Sequence, residues 1–234
     1  MTAALTTTTG ARPGHGLQAV LFDMDGTLVD TERHWFATET AVMADLDFTL
    51  TAQHAEQLLG SPMERAVAYL LSVSGLDVPP GELEHRINTD MVRRLRDGVD
   101  LRPGAKRLLA EVDDAGVPCA LVTASQRLIV DAVLPSIGAH HFRLTLAGDE
   151  IARTKPHPDP YLTAARRLDA EPWACVVVED SPTGIAAGEA AGCAVLAVPS
   201  MTPIPPAPTR TVVDSLEEVD LAYLRDLARA RVAR

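Results

Sequence analysis

Short apolar runs alternate with amphipathic helical patterns along most of the chain. The first run covers residues 19–22, and later runs lie at 117–123, 144–147, 175–178 and 194–198. Strands that are apolar along their whole length are typical of parallel sheets covered by helices on both faces. Because helical patterns separate these runs, the sequence predicts an α/β fold with a doubly wound parallel sheet.

A long stretch without strand patterns separates the first predicted strand from the second. Within it, apolar spacing predicts helices at 31–47, from Pro62 towards Gly75, and at 82–97. Ser61-Pro62-Met63-Glu64 has the pattern of a capping box with proline at the first helical position. These patterns indicate an all-helical insert.

Near the other end of the chain, Ser215 and the residues after it are predicted to cap the closing helix.

These patterns divide the chain into three parts. Residues 1–16 are rich in threonine, glycine and proline without apolar periodicity, so we predict a disordered tail. Residues 17–31 and 101–234 form the predicted α/β core, and residues 32–100 form the predicted helical domain.

Composition and charge restrict the function classes. The 234 residues are 47% hydrophobic, enough for a full core, and the net charge of −11 argues against nucleic-acid binding. No apolar run is long enough to cross a bilayer, and residues 1–16 lack the centre of a signal peptide. We therefore expect a soluble cytoplasmic protein without a membrane partner. Cys119, Cys175 and Cys193 lie in apolar runs, which favours reduced core residues.

The first strand ends in two acidic residues, Asp23 and Asp25. Residues two apart on an extended backbone point to the same side, and Gly26 then lets the chain turn. Two carboxylates this close repel each other unless a cation or a proton lies between them. A polar turn is the simpler interpretation. A calcium loop is excluded because hydrophobic residues follow and a strand, rather than a helix, precedes.

Polar residues also follow two later strands, where ligands bind in parallel sheets. Thr123, Ala124 and Ser125 lead into a helix, where hydroxyls and backbone N–H groups can hold phosphate. For Ser125 alone, a plain helix cap is an equally good interpretation. Glu179 and Asp180 form a further acidic pair that could hold Mg²⁺.

Lys155 is one of only two lysines in the chain. A single lysine is usually a solvated surface charge, but Lys155 precedes Pro156 in a structured loop between two predicted strands. Because a phosphate site needs a fixed cation, Lys155 is a candidate ligand for phosphate.

Together, these elements resemble the haloacid dehalogenase superfamily of aspartate-nucleophile phosphotransferases. Residues 23–30, DMDGTLVD, are similar to its signature, and Thr123, Lys155-Pro156 and EDSPTG at 179–184 follow in its order. The helical insert resembles the cap domain of one branch of this superfamily. That branch contains β-phosphoglucomutase, phosphoglycolate phosphatase, and the sugar and hexitol phosphate phosphatases.

The resemblance implies an aspartyl-phosphate mechanism. Asp23 would attack phosphorus, while Asp25 would protonate the leaving alcohol and later deprotonate water. A carboxyl that protonates an alcohol must itself carry a proton, which acidic neighbours would help Asp25 to retain.

The resemblance also implies which residues bind Mg²⁺ and which bind the phosphoryl group. Mg²⁺ would be held by Asp23, the Asp25 backbone carbonyl and Asp180, with Glu179 either a direct ligand or placed behind the others. The phosphoryl group would be held by Thr123, Ala124 and Lys155, with Ser125 a further candidate.

Other classes fit the sequence less well. In a phospho-receiver domain the acceptor aspartate ends a middle strand, whereas Asp23 ends the first. A catalytically silent binding protein remains an alternative, although every chemical position is filled. Dehalogenases lack the second aspartate, and phosphonatases need a cap lysine that residues 32–100 do not contain.

The implied function is Mg²⁺-dependent hydrolysis of a small phosphorylated metabolite, most simply a sugar or polyol phosphate. Trp35 stands where the family often has histidine, with His34 just before it, and this version occurs in sugar phosphatases. A β-phosphoglucomutase-type mutase and a phosphoglycolate phosphatase are the alternatives. Mutase caps carry cations where Leu59 and Met63 stand here. Arg65 is a weak candidate for a substrate contact. The sequence leaves the oligomeric state open, and a monomer is compatible with it.

Overall fold

The computed structural model describes residues 16–58 and 61–232. The predicted tail lies outside these residues except for Gly16. The strands are β1 (Ala19–Phe22), β2 (Cys119–Val122), β3 (Leu144–Leu146), β4 (Cys175–Glu179), β5 (Ala194–Ala197) and β6 (Arg210–Val212). The α-helices are α1 (Glu32–Ala44), α2 (Ala52–Leu58), α3 (Met63–Ser74), α4 (Pro80–Leu95), α5 (Ala105–Asp114), α6 (Arg127–Ile137), α7 (Asp159–Arg167), α8 (Pro182–Ala190) and α9 (Leu221–Val232).

The strands form one parallel sheet in the order β3-β2-β1-β4-β5-β6. Val20 and Phe22 pack into a hydrophobic cluster on one face, while Ala19 and Leu21 pack into a second cluster on the other. This burial on both faces explains why the strands are apolar throughout. The predicted doubly wound α/β fold is confirmed. The strand order reverses between β1 and β4, so a crevice opens at their carboxyl ends.

Helices α1 to α4 lie between β1 and α5, and we call them the helical insert. Its buried residues, including Met43, Leu70 and Ile87, form a third hydrophobic cluster. Val29 and Leu101 form an antiparallel bridge where the chain leaves and re-enters the sheet region. The described part of residues 32–100 contains helices and no strand. Its status as a separate domain stays a prediction.

Two predicted helix caps are wrong. The Ser61 hydroxyl donates to the Gln57 carbonyl at 2.9 Å, so it satisfies the end of α2, a helix that the sequence pattern did not predict. Helix α3 begins at Met63 without a side-chain cap. Ser215 caps a short 3₁₀ turn, and the closing helix begins only at Leu221.

The cysteines have the predicted environment. Cys119, Cys175 and Cys193 are buried and unpaired. Burial raises the pKa of the Cys119 and Cys175 thiols to about 12, which keeps them protonated and unreactive at neutral pH. Among the described residues, no helix has both the length and the apolar character needed to cross a membrane.

Candidate active site

Three carboxylates meet where β1 and β4 end. The Asp23 amide donates to the Val178 carbonyl at 3.0 Å, so Asp23 continues the pairing of these strands. Carboxylate oxygens of Asp23, Glu179 and Asp180 lie within 4.8 Å of one another, and all three residues are buried. Three like charges at this separation repel, so the cluster requires a compensating cation or a bound proton.

Lys155 supplies one positive charge from the loop before α7. Its Nζ donates to Asp23 Oδ1 at 2.6 Å, to Glu179 Oε1 at 2.7 Å and to the Val122 carbonyl at 2.9 Å. Burial alone would lower the pKa of Lys155, but the two carboxylates outweigh it and raise that pKa above its ordinary value. Lys155 is therefore a fixed cation.

The environment of Asp23 opposes its ionisation. Burial raises the pKa of Asp23 well above its usual range, and the charge of Glu179 adds to the effect, while Lys155 acts in the opposite direction. A further cation beside Asp23 would favour the ionised carboxylate.

Glu179 holds the cluster together. Its Oε1 accepts from Lys155 and Tyr161, and its Oε2 accepts from the amides of Asp180 and Ser181 and from the Ser181 hydroxyl. A Cβ at Gly184 would overlap the Glu179 carboxylate. The glycine in EDSPTG is therefore needed for close approach of α8 to Glu179.

Sequence reasoning missed Tyr161, which was predicted only as part of a helix. Its side chain is fully buried, and its hydroxyl donates to Glu179 Oε1 at 2.8 Å. The Lys155 Nζ lies 5.1 Å from the centre of its ring. Burial, followed by the charge of Glu179, raises the pKa of Tyr161 well above its usual range, so the hydroxyl remains a donor. Its sequence pattern does not differ from that of an ordinary core aromatic.

Hydroxyl groups surround the second aspartate of the motif. Asp25 Oδ1 accepts from Thr31 at 2.6 Å, and Oδ2 accepts from Ser125 at 2.7 Å and Thr123 at 3.3 Å. Ser125 is not a plain helix cap, because Gln126 occupies the N-cap position of α6. The contacts of Asp25 are thus mainly hydroxyls, whereas its predicted neighbours were acidic. Thr31 was not among the predicted site residues.

A cavity of about 320 Å³ lies between the sheet and the helical insert. The structure brings every predicted site residue to its wall, namely Asp23, Asp25, Thr123, Ala124, Ser125, Lys155 and Asp180. Glu179 does not line it. The insert contributes Trp35, Glu39, Leu58, Ser61, Pro62, Met63, Glu64, Ala66 and Asn88.

The candidate residues of the insert differ in whether they line the cavity. Trp35 lines the cavity, whereas neighbouring His34 does not. Arg65 is exposed and does not line the cavity either, and Leu59 lies outside the described residues. Sequence reasoning missed Glu39, although it stands four residues after Trp35 on the same helix face.

Comparisons with known proteins agree with this architecture. Residues 20–198 match the haloacid dehalogenase-like hydrolase family. The chain is 34% identical to hexitol phosphatase A of Escherichia coli (strain K12), over 78% of this chain and 84% of that protein. It is also 34% identical to fructose-1-phosphate phosphatase YqaB of the same strain, over 74% of this chain and 92% of that protein.

A solved structure has the same fold. CbbY from Rhodobacter sphaeroides in complex with xylulose-(1,5)bisphosphate is 29% identical to this chain, with a TM-score of 0.80. The match covers 89% of this chain and 99% of that chain. The predicted resemblance and the predicted hydrolase class are both confirmed. The chain belongs to the haloacid dehalogenase-like hydrolase family.

Proposed function

We propose that this protein is a Mg²⁺-dependent phosphatase that hydrolyses a sugar or polyol phosphate through an aspartyl phosphate on Asp23. The observation that carries the proposal is one cavity containing a buried carboxylate, Asp23, a fixed cation, Lys155, and a second carboxyl, Asp25. The hexitol and fructose-1-phosphate phosphatases among the relatives support the substrate class.

The carboxylate cluster fits Mg²⁺, which prefers oxygen ligands and is commonly held by one or two carboxylates. Asp23 and Asp180, which both line the cavity, would hold it with the Asp25 backbone carbonyl. Glu179 would stand behind them, because it does not line the cavity and its oxygens hold Lys155, Tyr161 and the beginning of α8. When bound, Mg²⁺ would neutralise charge on the phosphoryl oxygens.

The residues of the chain would carry out two displacements. An Asp23 carboxylate oxygen bonds to phosphorus while the bond from phosphorus to the substrate oxygen breaks, and Asp25 donates a proton to the leaving alkoxide. Asp25 then takes a proton from water, whose oxygen bonds to phosphorus and releases Asp23 and inorganic phosphate. Lys155 compensates the negative charge on Asp23 and the phosphoryl group.

The residues of the insert favour a hydrolase over a mutase, an enzyme that transfers a phosphoryl group between two positions of a sugar. A mutase must retain a bisphosphate while it reorients, and Met63 lines the cavity where mutase caps carry a cation. An anion facing a thioether lacks the charge-assisted hydrogen bonds that would retain it. Water would therefore capture the aspartyl phosphate.

The test is phosphate release from hexose, polyol and glycolate phosphates, measured as kcat/KM with Mg²⁺ and with EDTA. We expect hydrolysis of at least one sugar or polyol phosphate, its loss in EDTA and its recovery with Mg²⁺. Asp180→Ala should lower the affinity for Mg²⁺, so that the variant needs a higher Mg²⁺ concentration for half-maximal activity. Asp45→Ala, at an exposed aspartate of the insert, is the control.

Two results would contradict the proposal. One is activity that is indifferent to EDTA. The other is conversion of β-glucose 1-phosphate into glucose 6-phosphate, in the presence of catalytic β-glucose 1,6-bisphosphate, at a rate that exceeds phosphate release from every substrate.

A further inference from the structure

A second group of metal-binding side chains lies away from the cavity. Asp113, His140 and His141 each offer one ligand atom, and these three atoms lie within 4.8 Å of one another. The residues that line the cavity do not include them. Imidazole nitrogens bind Zn²⁺, Ni²⁺ and Cu²⁺ well, whereas Mg²⁺ prefers oxygen ligands. This group therefore differs in chemistry from the carboxylate cluster at the ends of β1 and β4.

Chain connectivity places the group at the amino end of the sheet. Asp113 is in the last turn of α5, which leads into β2, and the two histidines end a 3₁₀ turn, Ala139–His141, which leads into β3. Because β2 and β3 are parallel neighbours, both connections enter the sheet at the same edge.

The cavity lies at the opposite, carboxyl edge of the sheet, where Thr123 follows β2. With a rise of about 3.3 Å per residue, strand β2 separates the two edges by roughly 13 Å. A metal ion held by Asp113 and the two histidines would therefore not contact a substrate in the cavity.

The backbone holds the two histidine rings close together. Their centres are 3.9 Å apart. A Cβ at Gly138 would lie 2.9 Å from His140 Cε1 and 3.1 Å from His141 Cδ2, so both rings fold back over this glycine. Gly138 has a φ of 97°, which glycine adopts without strain. The turn that begins after Gly138 therefore directs both imidazoles to one place.

The third side chain comes from a different element. His141 Nδ1 and Asp113 Oδ2 are 3.0 Å apart. Two ligands at about 2.1 Å from the same ion lie roughly 3–3.4 Å apart, so this pair can share an ion with little movement. The side chain of Asp113 is 44% exposed, which leaves the position accessible to an ion from solution. A simple ion pair has the same separation and is the alternative that an experiment must exclude.

The charge at the end of α5 also favours a cation. The carboxyl end of a helix carries a partial negative charge, which is stabilised by cations in the last turn. The last turn of α5 instead contains Asp113 and Asp114, and this helix, which the structure describes completely, has no basic residue there. A divalent cation bound by Asp113 would compensate both the carboxylate and the end of the helix.

We propose that Asp113, His140 and His141 bind a divalent transition-metal ion that fastens the end of α5 to the turn before β3. Three protein ligands leave at least one coordination position to water. Because the site is remote from the cavity, the ion stabilises the folded state and takes no part in catalysis. The site is independent of the proposed phosphatase function.

The first measurement is Zn²⁺ binding to the full chain in excess Mg²⁺, by competition with a chromogenic chelator. The wild type should bind one Zn²⁺ equivalent, with a Kd on the order of micromolar, that His140→Ala does not bind. Loss of this ligand should weaken the affinity roughly 100-fold. His85→Ala, at an exposed histidine of α4, is the matched control and should bind Zn²⁺ as the wild type does.

Asp113→Asn tests the carboxylate. The change keeps the shape of the side chain and removes its charge, so the affinity for Zn²⁺ should fall by about 10-fold or more. Asp114→Asn is the control, because Asp114 is an exposed aspartate at the same end of α5 and is not in the group. Its exposed charge is screened, so the affinity should change by less than about 3-fold.

Thermal unfolding distinguishes a metal site from a simple ion pair. With free Zn²⁺ at about 100 times Kd, the melting temperature of the wild type should rise by roughly 5–10 °C, and that of His140→Ala should not. In EDTA the two proteins should unfold within about 2 °C of each other, because His140 is exposed.

Two results would overturn the inference. One is binding of the same number of Zn²⁺ ions, with equal affinity, by the wild type and His140→Ala. The other is a melting temperature that Asp113→Asn lowers by the same amount in Zn²⁺ and in EDTA, since Asp113 and His141 would then form only an ion pair.

Discussion

The two sides of the cavity are built on different physical principles. On the sheet side, charged groups hold one another, and the side chains of Asp23, Lys155 and Glu179 are at most 9% exposed. On the insert side, apolar side chains such as Trp35 and Met63 predominate. The sheet side is organised before substrate binds, as transition-state stabilisation requires. The insert side offers shape and a few polar contacts, which suit discrimination between substrates.

This contrast predicts where substitutions have large effects. Removing one member of a buried charged network leaves its partners uncompensated, which costs more than losing a contact at a partly apolar wall. Variants of the sheet side should therefore reduce activity on every substrate. Variants of the insert side should have smaller effects that depend on the substrate.

The largest effect is expected for Asp23→Asn. The change preserves the shape of the side chain but removes the charge that attacks phosphorus, so kcat should fall by about 1,000-fold or more on all substrates. The measurement is phosphate release from p-nitrophenyl phosphate and from the best sugar phosphate, with circular dichroism to verify folding. Asp45→Asn, an exposed aspartate of the insert, is the control. Retention of more than a few per cent of the rate would rule out Asp23 as the nucleophile.

Gly184→Ala should have the second largest effect. The added Cβ overlaps the Glu179 carboxylate, so Glu179 must move and disturb its contact with Lys155. We expect destabilisation of about 2–4 kcal/mol and a melting temperature lower by roughly 5–15 °C. Activity on all substrates should fall together.

Gly81→Ala is the matched control, because Gly81 also lies in the first turn of a helix but has open space around it. Its melting temperature should stay within about 2 °C of the wild type. Equal stability of the two variants would mean that Glu179 does not depend on the close approach of α8.

The two sides also differ in how far the sequence predicts them. Asp23 and Asp25 could be found because the strand ends of a parallel sheet converge at one edge. Lys155 could be found because it is one of two lysines and precedes a proline in a loop between two predicted strands. Tyr161 could not, because its hydrogen bond to Glu179 depends on how α7 packs against β1 and β2. For Glu39 the sequence offered only its position four residues after Trp35, because the placement of α1 above the cavity depends on packing that no local pattern encodes. The same limit explains why α2 was missed and why the two helix caps were predicted wrongly.

A more moderate effect is expected for Tyr161→Phe. This variant keeps the ring beside Lys155 but removes one of two donors to Glu179 Oε1. A hydrogen bond to a charged group contributes about 1.5–3 kcal/mol, and Lys155 partly compensates its loss. We therefore expect kcat to fall by roughly 10-fold with little change in KM.

The control for this variant is Tyr223→Phe, at a half-buried tyrosine that packs against the hydrophobic cluster on one face of the sheet. It should not change kcat. If Tyr161→Phe raised KM for sugar phosphates and left kcat unaltered, Tyr161 would not act through Glu179 and Lys155.

The smallest effect is expected where the two sides meet, at the hydrogen bond between Asn88 and Gln126. This bond joins α4 of the insert to the residue after Ser125, so it positions the insert over the sheet side rather than taking part in the chemistry. Asn88→Ala should raise KM for sugar phosphates about 3-fold, since a neutral hydrogen bond contributes about 1 kcal/mol. A double-mutant cycle with Gln126→Ala isolates that bond, and the coupling should be about 0.5–1 kcal/mol. Gln53→Ala, at an exposed amide on α2, is the control for loss of a polar side chain. Additive effects of the two substitutions would show that the Asn88–Gln126 hydrogen bond does not couple the two sides of the cavity.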